Sequence, residues 1–290
     1  MLKSVKFCRS LPVQGVYRME KTKRRRSRRR SWGWLKTGLL LAVLGIALWK
    51  LAPDFIEVIP PQAVEENPSL SGDPEALQAA GDTPSLSGYP EALQALWEKN
   101  EDARPFVEGY FENKDKDFTI DLSREAEADA VPLLMQWDER WGYTAYSGGL
   151  LGCTGCGPTC LSMAAVYLTG NPDYSPKYVA QYATEQGYAV AGSGSAWALI
   201  SEGAADFGLE AQELSLDEGR MAGVLAQGGV VICVLGPGDF TDSGHFIVLT
   251  GYEDGAFSVN DPNSYVNSSK TWTYDQLKGQ IKNLWGLWAA

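Results

Sequence analysis

The sequence predicts an α+β domain, helices first and an antiparallel sheet after, set behind a membrane-crossing helix and a spacer. Three observations predict it. Apolar residues recur at helical spacing between about residues 157 and 227. Beyond Val230 the pattern changes to short β-branched runs separated by Gly- and Asp-bearing turns, an order incompatible with a doubly wound parallel sheet. The charge is also divided. Residues 1–50 hold 14 of the 25 Lys+Arg and only Glu20 of the 36 Asp+Glu, leaving 11 against 35 in residues 51–290. A basic head on a strongly acidic body places a boundary near residue 50 and argues against nucleic acid as a partner of the body.

Residues 1–31 end in the run Lys21-Thr-Lys-Arg-Arg-Arg-Ser-Arg-Arg-Arg30, which marks a cytoplasmic flank. Met19, directly before that run, is an alternative start of translation. Thr37–Trp49, 13 uncharged residues, is too short to span a bilayer alone. With Lys36 and Lys50 snorkelling and Trp32, Trp34 and Trp49 at the interfaces, the 21 residues Trp32–Ala52 can cross it. A cleaved signal peptide would put Lys50 where a small residue is preferred and Pro53 just past the cut, so an uncleaved anchor is expected, with the chain beyond it extracellular.

Residues 53–129 read as an extracellular spacer and lead-in. Pro68-Ser-Leu-Ser-Gly-Asp-Pro-Glu-Ala-Leu-Gln-Ala-Ala80 recurs as Pro84-Ser-Leu-Ser-Gly-Tyr-Pro-Glu-Ala-Leu-Gln-Ala-Leu96, a 16-residue period with 11 of 13 positions identical. Two copies cannot form a solenoid, and each Pro-Glu-Ala-Leu-Gln-Ala reads as a short helix opened by proline.

The folded body is expected over residues 130–290. Val131–Trp137 is a short strand or extended entry, and helices are expected at about 157–169, 176–186, 195–207 and 216–227. Strands are expected at 230–235, 245–252 and 256–260, with another beginning near Trp272. Residues 274–285 carry apolar residues at helical spacing and read as a terminal helix packed back on the domain.

The chemistry centres on Leu151-Gly-Cys-Thr-Gly-Cys-Gly-Pro-Thr-Cys160. Glycines end a loop, Pro158 and Thr159 suit a first helical turn, and Cys156 falls at the helix start, where unpaired N–H groups and the helix dipole favour a thiolate. A nucleophilic cysteine needs a base, and His245 is the one histidine in the chain. It opens a strand, and antiparallel pairing brings the end of the next strand, Asn260-Asp261-Pro262, beside it. Asp261 can therefore orient the ring, with Asn260 and Asn263 as alternatives. The side-chain amide of Gln136 can join the Cys156 backbone N–H in stabilising an oxyanion.

Five ordered motifs carry a resemblance. Gln136-Trp-Asp-Glu-Arg-Trp-Gly142, Gly155-Cys-Gly-Pro-Thr159 with Ser162-Met163, Gly192-Ser-Gly-Ser195 with Trp197, Gly244-His-Phe-Ile-Val248 and Asn260-Asp-Pro262 are similar to those of the papain-like bacteriocin-processing, or double-glycine, cysteine peptidases. The stand-alone, membrane-anchored members from Gram-positive bacteria are the subgroup it most resembles. The resemblance covers about residues 130–288 and implies a papain-like fold, Cys156 as nucleophile, His245 as base, Asp261 as orienting residue and Gln136 as oxyanion donor. Transporter-linked members add a multi-span segment and a P-loop ATPase, and the 290 residues show neither, which leaves the peptide or protein substrate open.

Trp137, Gly155, Trp197, Phe240 and Gly244 are candidate substrate contacts, with Trp141 and Tyr143 as further groove aromatics. The loop Asp239–Asp242 borders His245 and can govern access. Cys153, Cys156 and Cys160 have a spacing that admits a metal, but Pro158 and Thr159 interrupt the usual ligand loop, so no metal or other cofactor is expected. Cys160 and Cys233 are expected in the core, and Cys153 either free or bridged to Cys156. Two other readings use the same residues: a peptidoglycan amidase or transpeptidase, and an inactive cell-surface binding module.

Overall fold

The structure is a computed structural model that describes residues 85–290. The basic segment, the span 32–52, the alternative start at Met19 and the first repeat copy lie outside the described residues. Among the described residues no helix is long and apolar enough to cross a membrane.

Four short helices come first: α1 Glu91–Lys99, α2 Arg104–Glu108, α3 Tyr110–Asn113 and α4 Ser123–Glu127. They are not loose spacer. Leu93, Ala103, Phe106 and Val107 are buried with Met135, Trp137 and Tyr143 in one apolar cluster. The packed unit therefore reaches N-terminal of residue 130 and includes part of the second repeat copy, whose Leu86 and Leu96 pack on the same cluster. Val131–Met135 enters as extended chain rather than a strand.

Two small strands, β1 Ala145–Tyr146 and β2 Gly149–Leu150, pair ahead of α5 Leu151–Thr154. The central helix α6 runs Cys156–Thr169 and is capped by Gly170 at φ +67°, a left-handed conformation that glycine adopts without a Cβ penalty. Residues 157–166 of this helix are all buried, so it serves as the spine of the core. Helix α7, Pro176–Glu185, starts as its sequence predicts: Ser175 accepts from the Tyr178 N–H and Pro176 takes the first turn.

The expected helix at 195–207 is broken. Residues 194–195 form strand β4 against β3 Ala189–Val190, α8 covers only Ala198–Ser201, and a 3-10 turn follows at Gly203–Phe207. Gly203 opens the 3-10 turn and packs closely on two tyrosines. A Cβ there would stand 3.2 Å from the Tyr188 ring and 3.3 Å from Tyr182, so the chain comes close where a regular helix carries a side chain.

Strands β5 Leu209–Glu213, β6 Val230–Leu235, β7 His245–Glu253, β8 Ala256–Asn260, β9 Thr271–Thr273 and β10 Ile281–Ala289 form one antiparallel sheet in the order β5-β10-β6-β7-β8-β9. Strand β6 reads as an unbroken apolar run because both its faces are covered. Val230, Ile232 and Val234 meet the α6 core, whereas Val231, Cys233 and Leu235 meet Met221 and Val224 of α9, Glu218–Ala226. Two further helical turns, α10 Tyr265–Ser268 and α11 Tyr274–Leu277, flank β9.

The terminal helix is the largest departure from expectation. Only Tyr274–Leu277 is helical, and Ile281–Ala289 is strand β10, between β5 and β6. Leu277, Ile281, Leu284, Trp285 and Trp288 satisfy helical spacing by coincidence. A register shift between Ile281 and Asn283 resets the alternation, after which Trp285 and Leu287 face α6 and Leu284 faces α9. Gly286 is the revealing residue, since a Cβ there would lie 2.8 Å from Trp288 Cη2 and 2.9 Å from Val224 Cγ2. Gly286→Ala should cost about 1–3 kcal/mol by overpacking, read as a lower urea midpoint at unchanged slope.

Candidate active site

Cys156 opens α6 behind Gly155, and no side chain caps that helix end. Its first N–H groups are thus left for another acceptor. Gly157 is needed immediately after it, because a Cβ there would collide with Ser195 Oγ, which is itself 2.6 Å from the Tyr146 hydroxyl.

His245 is the first residue of β7 and pairs with Leu235 of β6. It stands at a strand start as expected but is not exposed there, with only 7% of its surface accessible. Its Nε2 lies 2.7 Å from Asp261 Oδ1, and its ring lines the same cavity as Cys156. Burial disfavours the charged ring, but the hydrogen bonds and negative charge of Asp261 and Cys156 outweigh it, and the pKa is pushed up to about 10.

Asp261 is 1% exposed and fully engaged. Besides the histidine, Oδ1 accepts from the Asn263 N–H at 2.9 Å, and Oδ2 accepts from Asn267 Nδ2 at 2.8 Å. Of the alternatives, Asn260 donates instead to the carbonyls of Val131 and Pro132 and holds the entry segment, while Asn263 serves the carboxylate through its backbone. Asn267 is absent from the expected site. Its signal was local: Ser264 caps α10 by accepting from the Asn267 N–H, which fixes Asn267 one turn past the Asp-Pro-Asn turn.

Gln136 is 4% exposed. Its backbone N–H donates to Pro262 O at 2.7 Å, binding it to the Asp261 turn, and its Nε2 donates to Gly152 O at 2.9 Å. One hydrogen of that amide nitrogen remains, and Oε1 is buried with no partner among the described residues.

A cavity of about 510 Å³ joins these groups, lined by Gln136, Cys156, His245 and, among the expected contacts, Trp197, Phe240 and Gly244. Trp197 is half exposed and edges against Trp285, while Phe240 packs on Trp272 with ring centroids 4.3 Å apart. Two expected contacts do not reach it. Trp137 is buried, donating from Nε1 to Asn263 O, so it supports the turn from behind. Gly155 is kept small by the α5–α6 junction, where a Cβ would lie 2.6 Å from Leu151 Cγ. Trp141 and Tyr143 are likewise core, with Trp141 Nε1 donating to Met135 O and the Tyr143 hydroxyl to Phe106 O.

A second cavity of about 670 Å³, walled by α1, shares Cys153, Phe240, Thr241, Ser243 and Asn263 with the first. The loop 239–242 stands between them, tied by Gln280, which accepts from the Asp239 N–H and donates to Asp239 Oδ2. Lys99 also reaches Asp242 at 3.0 Å, but both side chains are solvated and the pair is worth less than about 1 kcal/mol.

Cys153, Cys156, Cys160 and Cys233 are free thiols. Burial pushes Cys153 up to about 11 and holds Cys160 and Cys233 well above the usual thiol range. Among the described residues no cluster of three or more His, Cys, Asp or Glu side chains is placed to hold a metal ion.

The model of the Peptidase_C39 like family matches residues 128–289. Two solved structures are similar. The peptidase domain of Streptococcus ComA, a bifunctional ABC transporter involved in quorum sensing, is 17% identical, with 47% of this chain and 93% of that chain covered at a TM-score of 0.36. A structure described as a C39-like peptidase from Bacillus anthracis is 15% identical, with 58% of this chain and 96% of that chain covered at a TM-score of 0.34. No curated protein matches the chain.

Proposed function

From the premise that the chain belongs to the Peptidase_C39 like family, we propose that it is a cysteine peptidase in which Cys156, His245 and Asp261 form the triad and Gln136 completes the oxyanion hole. The observation that carries this reading is the one histidine of the chain, buried, bonded to a carboxylate and lining the same cavity as the thiol at a helix start. Each part has a stated task. The Cys156 thiolate attacks the peptide carbonyl, a C–S bond forms, and the oxyanion is met by the Cys156 N–H and the second hydrogen of Gln136 Nε2. The His245 imidazolium gives its proton to the leaving amine as the C–N bond breaks. It then takes a proton from water, whose oxygen displaces the thiolate and releases the acid. Substrate backbone would lie in the cavity between Trp197 and Phe240 and continue past the 239–242 loop into the second cavity.

The setting belongs to the same proposal. Residues 1–31 stay on the cytoplasmic side, Trp32–Ala52 crosses the membrane, and residues 53–129 begin as spacer and end packed on the outward-facing domain, as in stand-alone, membrane-anchored relatives from Gram-positive bacteria.

Alkylation of the detergent-solubilised full chain by iodoacetamide, with sites read by mass spectrometry, tests the thiol–imidazole pair without knowledge of a substrate. Cys156 should react at pH 6, well below the free-thiol pKa of about 8.5, and His245→Ala should abolish that reactivity. Ordinary thiol behaviour of Cys156 in both proteins would overturn the reading in favour of a binding module.

A further inference from the structure

The family model begins at residue 128, yet a residue far upstream of that boundary holds part of the site. Asn100 follows α1 and divides its amide between two tasks. Oδ1 accepts from the Asp102 N–H at 3.1 Å and caps the 3-10 turn Glu101–Ala103. Nδ2 reaches 163 residues along the chain and donates to Asn263 O at 2.5 Å. The Asn263 carbonyl is thereby held by Asn100 and, at 3.3 Å, by Trp137 Nε1. Its N–H points the other way, to Asp261 Oδ1, the oxygen that also receives His245 Nε2. Asn263 is thus a two-sided link: its carbonyl is held by the lead-in and its N–H donates to the triad carboxylate.

The segment bearing Asn100 is itself anchored. Leu93 and Ala103 are fully buried on either side of it, and the Phe106 ring lies so close to Gly142 and Gly152 that a Cβ on either would stand 2.6 Å from it. Gly152 is the carbonyl that holds Gln136 Nε2. The lead-in is therefore seated against both sides of the centre, by a polar contact at Asn263 and an apolar one at Gly152.

We propose that Asn100 is a positioning residue for the triad, acting through Asn263 on Asp261 and so on the His245 ring; this rests on the peptidase reading above. The consequence is that the catalytic domain is incomplete without the second repeat copy and its continuation. The physical expectation is specific to the donor. An aspartate at 100 keeps the oxygen that caps the turn but replaces the donor with a carboxylate facing two acceptors, Asn263 O and Oδ1. A serine keeps a capping oxygen and is too short to reach Asn263.

The test uses the full chain and follows iodoacetamide reaction of Cys156 from pH 4 to 9, with melting temperature as the control. Asn100→Asp and Asn100→Ser should each lower the rate at pH 6 by about tenfold or more and move the profile toward that of a free thiol, while melting within a few degrees of the unmodified protein. An unchanged profile in both variants, beside a His245→Ala protein that does lose reactivity, would overturn the positioning role and leave the peptidase reading standing. If His245→Ala itself changes nothing, the triad reading falls and this inference with it.

Discussion

Cys156→Ala should lower kcat/KM for peptide-bond hydrolysis by about four to six orders of magnitude, with the fold intact. Among the described residues no other thiol is placed to substitute. Cys160 and Cys233 are fully buried, and burial holds Cys153, Cys160 and Cys233 in the protonated form far above neutral pH. The helix end and the Gln136 amide survive the change, so an oxyanion could still be met, but no acyl intermediate can form on a methyl group. His245 also loses one of the groups that keeps it charged. Digestion of a mixed peptide pool by the full chain, with new N-termini counted by mass spectrometry, reads the effect. Persistent cleavage by Cys156→Ala would exclude Cys156 as nucleophile.

The loss should be confined to activity, because Cys156 is only partly buried and opens the helix rather than filling its core. The sulfur-to-methyl change leaves the buried stretch from Gly157 to Val166 untouched. A melting temperature within a few degrees of the unmodified protein is therefore part of the same expectation.

The site was legible where one stretch of chain carries its own geometry. The Gly-rich loop and Pro158 announced the start of α6, the single histidine left one candidate for the base, and the pairing of β7 with β8 brought Asp261 to it. What was not legible depends on contacts between distant segments. Trp137, Trp141 and Tyr143 look like groove aromatics in isolation, but the apolar faces of α1 and α2 bury Trp137 and Tyr143, and Trp141 joins the core around α6. Asn100 and Asn263 are 163 residues apart, and no local pattern joins them. Strand β5, Leu-Glu-Ala-Gln-Glu, escaped notice because an edge strand packed on one face needs few β-branched residues. Strand β10 was read with the wrong period because a bulge hid its alternation, although Gly279 within the expected span argued against a helix.

Asp261→Asn should lower kcat by about 10²–10⁴-fold and move the alkaline limb of the pH profile to lower pH. The ring of His245 is a cation whose pKa stands near 10 instead of 6.5. Burial is the largest influence on it and pulls it down; the hydrogen bond and charge of Asp261, with Cys156, pull it up further. An amide at 261 keeps a hydrogen-bonding oxygen but removes the charge, so burial dominates and the ring becomes neutral within the working range. It can then neither pair with the thiolate nor give a proton to the leaving amine. Stability must follow the same sign. A raised cationic pKa contributes stability that is complete below about pH 6.5 and is lost as pH rises through about 10. The melting temperatures of the two proteins should therefore differ most below pH 6.5 and converge toward pH 10. A constant difference across that range, with the activity limb unmoved, would show that Asp261 holds the turn through Asn263 and Asn267 and does nothing to the charge of His245.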